Sequence, residues 1–170
     1  IPLAYGDNFK GYRILGTEYS YLNKYHATLN NGRLFQKSYE VVLGYDVANR
    51  SQLNVGETFL GNHGSNSVSQ SHANHPYEIV GILNKTESVL DYLILSDVYT
   101  TWNIHHYDSK ELAKNQSQDS VQELTALLVE LKNPMALISL PKKINTETNM
   151  QAALPAVEIN RLSHLTGLGT

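Results

Sequence analysis

The chain of 170 residues has no cysteine, which excludes disulfides, thiolate metal sites and cysteine nucleophiles together. It also has no excess of positive charge. Thirteen Lys and Arg stand against sixteen Asp and Glu, for a formal net charge of −3, and Lys142-Lys143 is only a pair. Nucleic-acid binding needs clustered basic side chains to neutralise phosphates, so that partner class is set aside. No run approaches the roughly 20 apolar residues that a spanning helix requires. There is no Gly-x-x-x-x-Gly-Lys phosphate cradle and no Gly-x-Ser-x-Gly elbow.

What is present suits a folded α+β chain. Apolar residues make up 41% and charged residues 17%, and the length suffices for one large domain or two small ones. The chain is organised around the stretch from Tyr39 to Phe59. An apolar, β-branched run ends at Gly44, a helix carrying Asp46, Val47 and Leu53 follows, and a turn at Asn54-Val55-Gly56 leads into a strand over residues 56–60. Further strands are expected at residues 77–83 and 93–96, with Val89-Leu90 as buried strand material. Ser96-Asp97 reads as the start of a helix with Val98, Tyr99, Trp102 and Ile104.

Upstream, Ile1 to Tyr5 and Tyr12 to Gly16 read as a hairpin turning at Gly6-Asp7-Asn8. A helix from Thr17-Glu18 carries Tyr21, Leu22 and Tyr25 and ends in a turn at Asn30-Asn31-Gly32. Downstream, residues 125–131 read as a largely buried strand. Asn133-Pro134 starts a helix that Pro141 is expected to kink or shift, residues 150–154 form a closing strand, and a last helix covers residues 156–162. The stretches 61–75 and 108–122 are polar and read as loops.

Three segments carry a family resemblance: "VVLGYDVANRSQLNVGETF", "YEIVGIL" and "LILSDVYTTW", with the end "KNPMALISLPKKINTETNMQAALPAVEINRL" continuing it. Together they resemble the MacB-like periplasmic core domain of FtsX-like ABC-transporter permeases. The resemblance implies a two-lobed α+β domain, a βα lobe with an inserted small mixed sheet or barrel. Residues 1–31 with 124–155 would form the membrane-proximal lobe and residues 32–108 the inserted one. A polar loop at 109–123 and a helix at 156–170 leading toward a membrane span complete the division. Because Ile1 opens directly on a strand, the chain is read as a piece of a longer protein.

The resemblance further implies a non-catalytic role on the periplasmic side of the inner membrane, as part of a permease expected to be dimeric. Its partners would be a cytoplasmic ABC ATPase subunit and a periplasmic substrate or adaptor protein.

Histidine is the one residue type with an unusual distribution. His63, His72 and His75 fall in the first polar stretch, and His105-His106 follow Trp102. Three imidazoles on one loop can ligate zinc, which gives a second reading, a zinc-binding periplasmic domain of a metal-transport permease. The plainer account is solvated loop histidines, because His-x-x-His in a loop lacks the fixed i,i+4 geometry of a helical zinc motif. Glu57, Glu78, Glu87 and Asp91 are scattered, and nothing in their spacing fixes an acid-base pair. A hydrolytic enzyme is the third reading, and the missing motifs argue against it. For the eleven tyrosines, an aromatic layer between strand and helix is favoured over a binding surface.

Overall fold

The computed structural model describes residues 1–62, 75–102 and 123–167. They fall into two compact units, Ile1–Leu128 and Val129–Thr170. In the first unit β1 (Pro2–Phe9) and β2 (Tyr12–Thr17) precede α1 (Tyr19–Lys24) and β3 (Leu29–Gly32). Next come β4 (Glu40–Leu43), α2 (Tyr45–Ser51), β5 (Thr58–Phe59) and β6 (Tyr77–Leu83). A 3-10 helix (Val89–Tyr92), β7 (Leu93–Asp97), helix α3 with residues 98–102 helical, and β8 (Ala126–Leu127) follow.

These strands make one mixed sheet in the order β3-β6-β4-β7-β2-β1-β8, with β5 also on β6. Strand β4 runs parallel to β6 and antiparallel to β7, and β7 runs parallel to β2. Strands β1 to β3, before residue 33, and β4 to β7, after it, share this sheet.

Strand β4 is central, and all four of its residues are buried. Val41 and Leu43 point into one core with Ile14, Val47, Phe59, Tyr77, Ile79 and Ile94. Val42 points into the other, with Leu15, Leu22, Phe35, Leu83, Leu90 and Leu95. A strand covered on both faces loses the apolar/polar alternation of a half-buried one, which is why Val41, Val42 and Leu43 follow one another without a polar residue between them. Helix α2 ends where Gln52 adopts a left-handed conformation, φ 60°. Gly44 is required at its entry, because a Cβ there would lie 2.0 Å from the Leu90 carbonyl oxygen.

Several sequence expectations are corrected. The β1–β2 hairpin turns at Lys10-Gly11, where both residues have positive φ (50° and 87°), as a two-residue hairpin turn demands. Gly6-Asp7 instead forms a bulge, with Tyr5 opposite Leu15 and Asn8 opposite Arg13. Residues 30–32 belong to edge strand β3 rather than to a turn. Leu90 is buried as expected, but on a 3-10 helix, and its neighbour Val89 is half exposed.

The strand expected at residues 125–131 is reduced to the two-residue β8, which pairs with β1 and is exposed rather than buried. An outermost strand has one neighbour and no second layer forced upon it. In the second unit, α4 (Pro134–Glu147) is capped by Asn133, whose side chain accepts from Met135 N at 2.9 Å. The helix continues through Pro141, forgoing the bond an N–H there would give to the Leu137 carbonyl. Residues 150–154 form no strand, and the Asn145 side-chain amide holds the backbone of Ala152 at 2.9 and 2.6 Å instead. Helix α5 (Pro155–Leu165) follows, and neither α4 nor α5 has a buried residue.

Candidate functional site

Carboxylates come first, since acid-base chemistry would require them. Glu40 opens β4 and is 3% exposed. Arg33, seven residues earlier, grips it with both guanidinium arms, Nη1 to Oε2 at 2.7 Å and Nη2 to Oε1 at 2.6 Å. The backbone N–H groups of Gln36 and Lys37 donate to Oε2 at 2.7 and 3.2 Å. The Arg33 hydrogen bonds, against the cost of burial, hold the Glu40 carboxyl at about 2. It is therefore ionised throughout the physiological range, with its oxygens committed to closing the 33–40 loop.

Asp91 is committed in the same way. Its Oδ1 accepts from Thr86 N and Thr86 Oγ1, both at 2.8 Å, and its Oδ2 from Glu87 N at 2.8 Å. Glu57 accepts from Asn54 N at 2.6 Å and so fastens its own turn. Glu87 is exposed beside Lys85, and Glu78 is exposed on β6. Of the four carboxylates named from sequence, each serves its local backbone or faces solvent, and the one contact among them, Glu87 N–H to Asp91, is through backbone and not between two carboxyl groups. The sequence reading missed Arg33–Glu40. Its signal is an Arg and a Glu flanking a short polar loop at the mouth of an apolar strand.

A second buried polar contact lies where the first polar stretch leaves and rejoins the sheet. Asp7, 1% exposed in the β1 bulge, accepts from the Tyr77 hydroxyl at 3.3 Å. Burial, reinforced by the Asp7 charge, pushes the Tyr77 hydroxyl well above its ordinary value, so it stays protonated and can donate to Asp7. Phe59 stacks on Tyr77 at 5.4 Å and meets Phe9 at 4.4 Å. Asn62 is tied to Asn8 by paired backbone bonds of 3.0 and 2.9 Å. On the returning side, the His75 ring stacks on Tyr39 at 5.1 Å. Tyr39 holds a left-handed φ of 66° and donates its N–H to Thr100 Oγ1 at 3.1 Å.

Of the three histidines singled out as metal ligands, the structure locates His75, half-buried against Tyr39. His63 and His72 lie outside the described residues, as do His105 and His106. Among the described residues, no three His, Asp or Glu side chains gather as a metal-holding group. No described helix is long and apolar enough to cross a membrane.

The MacB-like periplasmic core domain matches residues 2–147, which cover the whole sheet and helix α4. The chain belongs to that family. It is thus the periplasmic domain of an ABC transporter permease, standing on the periplasmic side of a membrane protein. The mixed α+β architecture agrees with that membership. No curated protein matches the chain.

Proposed function

We propose that this MacB-like domain is a mechanical element of its permease, coupling ATP-driven motion of the membrane helices to the handling of a periplasmic substrate or adaptor protein. The ATP is hydrolysed by a separate cytoplasmic subunit, and the full-length permease works as a dimer. The family match over the sheet carries this reading. It is supported by the build of the first unit. A sheet with apolar cores on both faces and a bidentate ion pair closing its central loop moves as a rigid body, which transmits displacement without absorbing it.

The test uses the full-length permease with its ATPase subunit in proteoliposomes. Removing the residues of this domain in favour of a short linker should leave basal ATP hydrolysis in place and abolish coupled transport. Unchanged transport after removal refutes the coupling role. So does ester, peptide or glycoside turnover by the intact domain that vanishes on changing one His or carboxylate.

A further inference from the structure

Asn31-Gly32 is the single Asn-Gly pair in the chain, and it sits exposed on the outermost strand β3. The Gly32 N–H is not part of the strand ladder. Its neighbour Arg33 donates to Val80 O at 2.8 Å, whereas the Gly32 N–H points to the free edge and donates to Asn31 Oδ1 at 2.8 Å. The side-chain amide of Asn31 is thereby folded back onto the nitrogen that follows it. Gly32 has φ +78° and no Cβ, so no side chain screens that approach.

We propose that Asn31 is a site of spontaneous covalent modification, deamidation through a cyclic imide. The Gly32 nitrogen, losing to solvent base the proton it had donated to Oδ1, forms a bond to Asn31 Cγ, and the electron pair of the Cγ–Oδ1 double bond moves onto the oxygen until the amine departs. The Cγ–Nδ2 bond breaks, and Nδ2 leaves as ammonia with a proton from water. Water then opens the five-membered ring. Cleavage of the new N–Cγ bond leaves aspartate at position 31, and cleavage at the original backbone carbonyl leaves isoaspartate. The net change is water in and ammonia out, with one negative charge gained.

The structural consequence is local and directional. Isoaspartate places an extra methylene in the backbone between the Asn31–Ile82 and Gly32–Gly81 pairings. Gly32 has no slack to absorb it, since a Cβ there would lie 2.1 Å from Val80 O. The displacement passes to Arg33, the guanidinium partner of Glu40. Modification therefore loosens β3 from β6 and weakens the ion pair beside it.

The test is peptide mapping by mass spectrometry of the 170-residue chain after weeks in mildly alkaline buffer at physiological temperature. The expected result is a gain of about one dalton at Asn31, with isoaspartate exceeding aspartate, at least tenfold faster than at Asn30 or Asn84. The folded chain should react no more slowly than the same chain in urea, because the edge geometry leaves the site open. Asn31→Gln, which would need a six-membered ring, should remain unmodified while keeping its circular dichroism spectrum. An unmodified Asn31, equal rates at all asparagines, or strong protection in the folded chain relative to urea each overturns the proposal.

Discussion

Replacing Glu40 by Gln tests the electrostatics of the first unit most directly. The carboxyl sits at about 2 when folded, against an ordinary 4.5. That interval, at about 1.4 kcal/mol per pH unit, corresponds to about 3 kcal/mol of stabilisation by the ionised form. The Arg33 side chain is 43% exposed, so solvent screens part of the attraction and about 2 kcal/mol is the working expectation. Because the folded value is depressed, the stabilisation is complete above pH 4.5 and is lost as pH falls toward 2. Glu40→Gln should therefore lower stability by about 2 kcal/mol at neutral pH, a shift of about 1 M in the urea midpoint for a slope near 2 kcal/mol per molar. The gap between variant and parent should close progressively below pH 4.5. Fluorescence of Trp102, the single tryptophan, whose indole N–H donates to Glu123 O at 2.8 Å, follows unfolding of this unit. A gap that stays constant from neutral pH down to about 2.5 would falsify the assignment of this stability to the ionised carboxylate.

Val42→Asp puts a carboxylate at a site 0% exposed inside the second core, where desolvation without a partner costs several kcal/mol; the chain should lose its near-ultraviolet circular dichroism, and a folded variant with unchanged melting refutes the placement of β4. Gly44→Ala drives a Cβ to within 2.0 Å of Leu90 O, so α2 and the 3-10 helix must separate; a destabilisation of roughly 1–3 kcal/mol is expected in urea titration, and no change refutes the close approach. Zinc ligation by His63, His72 and His75 predicts calorimetric uptake near neutral pH that disappears on acidification, since imidazole must be deprotonated to bind metal. Replacing His72 and His75 together with Ala should abolish it; equal uptake in that variant, or none in the parent, removes the zinc reading.

Local chemistry was legible from sequence wherever neighbours in the chain decide the outcome. The Asn133-Pro134 start of α4 is set by one side-chain acceptor and one fixed φ, and β6 by seven residues between a proline and a polar turn. The helix after Gly44 was legible in the same way, whereas the burial of β4 on both faces was not, because its apolar residues 41–43 fit a strand covered on one side or on two. The family too was carried by residues near in sequence, in the "VVLG", "NVGETF" and "YEIVGIL" segments.

What tertiary structure decided is which distant strand lies beside which. Parallel pairing of β2 with β7 joins residues eighty positions apart, and no local preference encodes such a partner. Pairing also decided that Gly6-Asp7 bulges while Lys10-Gly11 turns, because only the register against β2 distinguishes two adjacent turn-forming sequences. It made residues 126–127 an exposed edge, since burial depends on whether a further layer arrives and not on how apolar the strand is. Glu40 became a depressed carboxyl for the same reason. An Arg seven residues away is an unremarkable spacing until the sheet buries one partner and leaves the other to reach it.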